Sequence, residues 1–75
     1  MDKSELLLKI GAKIKEIRVS KCLSQVDLVG KMEGRIDTTN ISRIESGRTN
    51  PTIYTLLRIA EALEVPLNEI TNISE

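Results

Sequence analysis

The side chains that carry covalent or metal chemistry are almost absent from this sequence. Its 75 residues include no histidine and one cysteine, Cys22, so a Cys/His zinc site and an intramolecular disulfide are excluded. Without a second cysteine to resolve an oxidised thiol, a redox role for Cys22 is also disfavoured. There is no glycine-rich phosphate loop, and we find no set of acid, base and nucleophile. The sequence therefore predicts a protein that is not an enzyme and that holds no cofactor or metal.

Hydrogen-bonding side chains are concentrated in one short segment. Thr38, Thr39 and Asn40 follow Asp37 directly, and Arg43 comes one helical turn later. Short Thr and Asn side chains allow a helix to approach the base edges of DNA closely, and an arginine can pair with guanine. A solvated helix without a binding role would instead present a mixture of Glu and Lys. The segment therefore indicates a helix face that reads DNA.

Hydrophobic periodicity places this segment on the third of five predicted helices, and no strand is predicted. The helices are expected from about Lys3 to Lys21, from Ser24 to between Lys31 and Glu33, from Asp37 to just before Gly47, from Thr52 to Glu64, and from Pro66 to about Thr71. Their inward faces are predicted to carry Leu7, Ile10, Ile14, Ile17, Leu28, Met32, Ile41, Ile44, Ile53, Leu56, Ile59, Ala60, Leu63, Leu67 and Ile70. Gly11, inside the first helix, marks either close packing or a break between a short arm and the helix proper.

The second and third helices begin with matching signals. Ser24 and Asp37 are favoured N-cap residues, and each is flanked by apolar residues at the spacing of a hydrophobic staple. Gly34 is expected in the turn between the helices, and Gly47 is expected to end the third helix. Two short capped helices joined by a turn leave the outer face of the second one free. We therefore predict a helix-turn-helix over about residues 24–46.

Charge is distributed unevenly, although the whole chain is neutral with 11 basic and 11 acidic residues. Residues 1–50 carry ten basic and seven acidic side chains, whereas residues 51–75 carry one basic and four acidic side chains. A phosphate-facing surface requires local rather than overall positive charge. We therefore expect the first two thirds of the chain, and not the acidic last third, to face nucleic acid.

The composition also limits size and location. A chain of this length suffices for one domain, and so small a domain buries only about 60% of its unfolded surface, so a partner subunit would add stability. The single cysteine fits a reducing compartment, and no signal peptide is recognised. The apolar run from Leu6 to Leu8 is far too short to span a bilayer. We expect a soluble, cytoplasmic protein with no membrane contact.

The chain resembles the helix-turn-helix family of phage repressors, Cro proteins and restriction-modification controller proteins. The residues that carry the resemblance are Leu23-Ser24-Gln25 with Leu28, the run Ile41-Ser42-Arg43-Ile44-Glu45-Ser46-Gly47-Arg48, Asn50-Pro51-Thr52, and Leu56, Ile59, Ala60, Ala62, Leu63 and Val65. They lie within about residues 10–70. The resemblance implies an all-α, compact five-helix domain like that of lambda repressor, with residues 1–75 as a single unit. It also implies a sequence-specific regulator of transcription that binds double-stranded DNA and needs no small-molecule ligand.

The resemblance further implies roles for individual residues. Base contacts are implied for Thr38, Thr39, Asn40 and Arg43, and phosphate contacts for Ser24, Gln25, Arg48 and Asn50. Ser24 serves first as a helix cap, and Gln25 is also expected to brace the third helix, the recognition helix. Arg18 and Glu45 are expected to form an internal ion pair between the first and third helices.

Three departures from the family pattern affect these roles. Counted from Gln25 to Ile41, the turn is two residues longer than usual, within Lys31 to Gly34, which could tilt the recognition helix. Val29 replaces a small residue and is expected to separate the two helices slightly. Cys22 stands where glycine is common, and it is strained there if the position needs a positive φ.

One recognition helix reads only a few base pairs, so a homodimer on a near-palindromic operator is expected. The last third of the chain carries more apolar residues than one buried face on each helix requires. The additional residues form the predicted dimer interface, and they are Tyr54, Leu57, Val65 and Ile73. The alternative is a protein-interaction module, such as an antitoxin or an assembly adaptor, that uses the fourth and fifth helices. The acidic last third of the chain keeps this alternative open.

Overall fold

A computed structural model describes residues 1–33 and 36–73, which form five α-helices and no strand. The helices are α1 (Lys3–Ser20), α2 (Gln25–Lys31), α3 (Thr38–Glu45), α4 (Ile53–Leu63) and α5 (Leu67–Thr71). All five predicted helices and the all-α fold class are confirmed, with boundaries within two residues of those expected. Gly34, the predicted turn residue, lies outside the described residues.

Local side chains determine where the helices begin. The Asp2 carboxylate accepts a hydrogen bond of 2.9 Å from the backbone amide of Glu5, at the start of α1. At α2, the Ser24 hydroxyl accepts from the amide of Asp27 while the Asp27 carboxylate accepts from the amide of Ser24. Asp37 caps α3 in the same way as Asp2 caps α1. These bonds satisfy amides that a helix leaves without partners in its first turn, so each start is specified by its own sequence.

Every helix contributes to one hydrophobic core. The buried apolar side chains are Ile14, Ile17, Leu28, Met32, Ile41, Ile44, Leu56, Ile59, Ala60, Leu63 and Ile70. Leu7 is half-buried, and Ile10 and Leu67 are half-buried against this core. The inward assignment of Ile53 is wrong, because its side chain is 69% exposed. Ile53 is the first residue of α4 and lies nearly one full turn before Leu56, the first α4 side chain to enter the core.

Gly11 marks close packing and not a break, because α1 is continuous through it. A Cβ atom at this position would clash with the carbonyl oxygen of Ile44 and would lie 2.6 Å from that of Glu45. The backbone of α1 therefore runs directly against the last turn of α3. A second close approach joins the same elements, since a Cβ on Gly47 would lie 2.9 Å from the Cδ2 atom of Leu8. Glycine at both positions lets α1 and the end of α3 meet.

Among the described residues, four that lie between helices have a positive φ, namely Cys22, Glu33, Gly47 and Glu64. Gly47 follows the C-terminus of α3 with a φ of 76°, which ends the helix as expected. Cys22 has a φ of 60° between α1 and α2, so its position does require the geometry that favours glycine. A non-glycine residue held there costs about 1 kcal/mol or more. The next residue is tied down, because the Leu23 amide donates to the carbonyl of Arg18 and the Leu23 carbonyl accepts from the Arg18 guanidinium.

Candidate nucleic-acid interface

The outer face of α3 carries the polar side chains that the sequence predicted there. Thr39, Ser42 and Arg43 are exposed and Thr38 is half-buried, while Ile41 on the opposite face is fully buried. Thr38, Thr39, Ser42, Arg43, Gln25 and Arg48 line one shallow depression on the surface, which we call the reading face. Five of these six residues were predicted to contact DNA, and Ser42 was not. Five of the eight predicted DNA contacts therefore share one surface.

Asn40 and Asn50 lie elsewhere. They line a separate groove together with Ile36, Ile44, Thr49, Pro51, Thr52, Thr55 and Arg58. Each residue advances a helix by about 100°, so Asn40 points roughly opposite to Thr38 and Ser42 but lies within about 60° of Arg43. Asn40 is exposed at the edge of the reading face, and its predicted base contact, like the predicted phosphate contact of Asn50, stays a prediction.

A buried ion pair fastens α3 from behind the reading face. The Arg18 guanidinium donates to the Glu45 carboxylate through Nε at 2.7 Å and through Nη2 at 3.1 Å, and through Nη1 to the Leu23 carbonyl at 2.7 Å. The side chains of Arg18 and Glu45 are 9% and 4% exposed. The hydrogen bond to Glu45 raises the pKa of Arg18 further above its already high value. The structure thus places the two residues of the expected ion pair in a bidentate contact.

Gln25 extends this network to α2. Its side-chain amide donates to Oε1 of Glu45 at 3.1 Å. The carboxylate of Glu45 therefore accepts from both the first and the second helix, and it holds three helices together at one point. A buried carboxylate that accepts three hydrogen bonds from two other helices serves as a structural anchor. Gln25 is in place to brace the recognition helix, and a further contact of its side chain with phosphate stays a prediction.

Ser24 acts as a cap in the structure. Its hydroxyl oxygen accepts from the Asp27 amide at 2.9 Å. Hydrogen bonds from Ser24 hold the pKa of the Asp27 carboxyl below its usual value. The predicted phosphate contact of Ser24 remains a prediction.

Lys15 and Ser46 were missed by the sequence-based assignment. Together with Gln25, Ser42 and Glu45 they line a second depression that adjoins the reading face. Lys15 lies on α1 three residues before Arg18, so it shares a side of the helix with the residue that contacts α3. That spacing was the available signal in the sequence. Lys15 brings a positive charge from α1 to the border of the reading face.

The predicted dimer interface divides into exposed and packed residues. Tyr54 is 68% exposed and Leu57 is 38% exposed on α4, where Ile53 is exposed as well. Val65 is half-buried and packs against the core, and Ile73 is also half-buried. Most of the apolar surface that α4 leaves uncovered therefore belongs to Ile53, Tyr54 and Leu57, which we call the α4 patch.

A capped short helix, a turn, and a second helix with a buried apolar face and a free polar face define a helix-turn-helix DNA-binding domain. The helix-turn-helix family model HTH_3 matches residues 14–70. The chain belongs to this family, and it is a DNA-binding transcriptional regulator rather than an enzyme.

Three solved structures illustrate the similarity. The restriction-modification controller protein C.AhdI from Aeromonas hydrophila superposes with a TM-score of 0.80 at 30% identity, over 85% of this chain and 94% of the other. The DNA-binding domain of BldD gives a TM-score of 0.82 at 30% identity, over 93% of this chain and 97% of the other. An HTH_3 family transcriptional regulator from Vibrio cholerae gives a TM-score of 0.86 at 25% identity, over 95% of this chain and 39% of that longer protein. No curated protein sequence matches significantly.

None of the helices in residues 1–33 and 36–73 combines the length and the apolar character that crossing a membrane requires.

Proposed function

We propose that this protein regulates transcription by binding a near-palindromic operator as a homodimer, with α3 in the major groove. The observation that carries the proposal is the division of α3 into two faces. Ile41, Ile44 and Glu45 are buried, whereas Thr39, Ser42 and Arg43 on the opposite face expose hydroxyl and guanidinium groups. A helix of this width fits a major groove, and such groups match the donors and acceptors on base edges.

Arg43 and Arg48 have different roles in this proposal. Arg43 lies on the exposed face of α3 and reads a guanine, with Thr38 and Thr39 close to the neighbouring bases. Arg48 follows Gly47 beyond the end of the helix, where it reaches a backbone phosphate. Lys15 adds a second phosphate contact from α1. Ser24, Gln25, Asn40 and Asn50 remain proposed contacts with the DNA backbone or bases at the edges of this surface.

The α4 patch is the proposed centre of the dimer interface, with Val65 and Ile73 at its border. Exposed aromatic and aliphatic side chains on one helix gain by burial against a second copy. A twofold dimer presents its recognition helices to half-sites about 34 Å apart, on one face of the DNA. The acidic residues of α4 and α5 keep this surface away from phosphate. Similarity to a restriction-modification controller protein supports a regulator of this kind. We expect this protein to act in the cytoplasm.

Selection of bound sites from a random DNA pool tests the proposal. We expect an enriched sequence with twofold symmetry, and tight binding should disappear when about five base pairs are inserted between half-sites, because they then lie on opposite faces. Sedimentation at micromolar concentration should show a dimer that Leu57→Glu dissociates. Val19→Glu is the matched control, since Val19 is also exposed but lies on α1. A pool without enrichment would contradict sequence-specific binding, and a monomer on the selected site would contradict the twofold model.

The α4 patch also supports a second candidate, a protein-interaction module such as an antitoxin or an assembly adaptor. In that case the patch binds a different protein, and DNA binding is weak and sequence-independent. Gel shifts on random and selected DNA at two salt concentrations separate the two functions. Binding that is equal on both DNAs and disappears at the higher salt would favour the second candidate.

A further inference from the structure

The two residues that follow α2, Met32 and Glu33, are held by a residue of α4. α2 ends at Lys31, and Asp37, the cap of α3, follows five residues after Met32. The Glu33 backbone has a φ of 34°, a conformation that residues with a side chain rarely adopt. A strained conformation of this kind persists only where neighbouring groups hold it.

Arg58 supplies the holding contacts. Its Nη2 atom donates to the carbonyl of Met32 at 2.6 Å and to the carbonyl of Glu33 at 3.2 Å. Met32 is the C-cap of α2, so its carbonyl belongs to the set that a helix leaves without partners at its end. A cation at this end of a helix also interacts favourably with the helix dipole. One guanidinium thus satisfies the end of α2 and holds the Glu33 carbonyl beside it.

Tyr54 helps to hold this arginine. The Tyr54 ring centre lies 5.9 Å from the Cζ atom of Arg58, one helical turn earlier on α4. The aromatic ring therefore packs against the guanidinium while Nη2 donates one hydrogen to each of the two carbonyls. Because Arg58 is half-buried and its guanidinium is bonded to backbone carbonyls of the domain, its role differs from that of Arg43, which is exposed on the reading face.

We propose that Arg58 is a positioning residue for sequence recognition: by holding the carbonyls of Met32 and Glu33 it sets the pose of α3 relative to α2. Recognition depends on placing base-contacting side chains within a fraction of an ångström, so a small tilt of α3 reduces discrimination between sequences while backbone contacts persist. The inference rests on the proposed function. It adds a residue that touches no base yet determines how well bases are read.

The test compares Arg58→Lys and Arg58→Met with the parent protein. Lysine keeps the charge but offers a point donor instead of a planar fork, and methionine keeps only the apolar stem. Lys13→Met is the matched control, since Lys13 pairs with Glu16 on α1, away from the turn. Two quantities are measured for each variant well below its melting temperature. One is the ratio of affinities for the selected operator and for random DNA at two salt concentrations, and the other is hydrogen exchange of the Asn40 amide.

We expect the affinity ratio of both Arg58 variants to fall about tenfold, the effect of removing one base-specific hydrogen bond. Affinity for random DNA and its salt dependence should match the parent, and the Asn40 amide, which donates to Asp37 at the start of α3, should exchange faster. If the affinities for both DNAs fell together with a smaller salt slope, Arg58 would be a phosphate contact and the proposal would be wrong. A lower melting temperature with an unchanged ratio would also overturn it, because the role would then be structural only.

Failure of the proposed function and failure of the positioning role of Arg58 can be distinguished if the parent protein prefers no DNA sequence. That result would refute the proposed function, whereas the exchange measurement still decides whether Arg58 holds the start of α3. Unchanged exchange at Asn40 in Arg58→Lys would refute the positioning role whatever the DNA result. Should Arg58→Met fail to fold, Arg58→Lys carries the same comparison.

Discussion

The two ends of α3 are attached to the rest of the protein in different ways. At the C-terminal end, Glu45 is buried under hydrogen bonds from Arg18 and Gln25, and Gly11 brings the backbone of α1 against it. At the N-terminal end, the cap Asp37 is exposed, and the Met32 and Glu33 carbonyls after α2 are held by the half-buried Arg58. One junction is buried and closely packed, and the other is polar and near the solvent.

The difference separates stability from recognition. A buried network tolerates little change, because removing one partner leaves the other charged or polar group without compensation. A solvent-exposed junction costs less to alter, since water replaces the hydrogen bonds that a substitution removes. Thr38 and Thr39 lie at the exposed end, so the part of α3 proposed to meet bases first is the part that can be adjusted at the smallest cost in stability. Breaking each junction in turn should therefore affect different properties.

The largest effect is expected from Glu45→Ala. This change leaves the Arg18 guanidinium buried without its counter-charge and should lower the free energy of unfolding by about 3 kcal/mol. Urea denaturation measures it. Glu16→Ala is the control, because the Glu16 side chain is 73% exposed and its pair with Lys13 should contribute under about 0.5 kcal/mol. Equal stability of Glu45→Ala and the parent would show that this junction does not anchor α3.

Gly11→Ala should have the next largest effect. Its new methyl group would meet the carbonyl oxygens of Ile44 and Glu45, which belong to backbone and can move only with α3. We expect the free energy of unfolding to fall by about 2 kcal/mol. Gly30→Ala in α2 is a sharp control, since no atom of the described residues beyond its own helix backbone and chain neighbours lies within 4 Å of the added atom, and alanine favours a helix by about 1 kcal/mol. Thermal melts should therefore move in opposite directions, and a stabilising Gly11→Ala would contradict the close approach of α1 to α3.

The reading face should separate base recognition from phosphate binding. Arg43→Ala should weaken binding to the selected operator by about 1–3 kcal/mol and relax the preference at one base position. Arg48→Ala should weaken binding to all sequences alike and reduce the salt slope by about one for each phosphate that is no longer neutralised. Titrations on operator and random DNA at several salt concentrations measure both. If both variants weakened binding in the same sequence-independent manner, Arg43 would bind phosphate and not a base.

The smallest effect concerns acid sensitivity at the start of α2. Hydrogen bonds from the Ser24 amide and hydroxyl lower the pKa of Asp27 from its ordinary value of 3.8. A group with a lowered pKa stabilises the folded state fully above that ordinary value, and the contribution disappears as pH falls through the lowered one. Asp27→Asn should therefore flatten the pH dependence of stability below pH 3.8. Thermal melts of parent and variant over a series of acidic pH values measure this. The same change of melting temperature with pH in both proteins would contradict the prediction.

The sequence by itself determined the helices and their order. Asp2, Ser24 and Asp37 occupy cap positions that act within a few residues of the chain, so local pattern alone located the helix starts. The 3.6-residue periodicity identified the core on α3, where Ile41 and Ile44 are buried. It failed at Ile53, because burial at the first residue of a helix depends on whether another element covers it, and this side chain stays exposed.

Tertiary structure decided which side chains share a surface. The sequence marked Asn40 together with Thr38, Thr39 and Arg43, and only the packing of α4 shows that Asn40 also borders a groove lined by Thr55. Lys15 reaches the border of the reading face only because the backbone of α1 lies directly on α3. Arg58 lies 25 residues along the chain from the Glu33 carbonyl that it holds. Contacts of this kind depend on how helices pack in three dimensions, and packing distances have no counterpart in the spacing of residues along the chain.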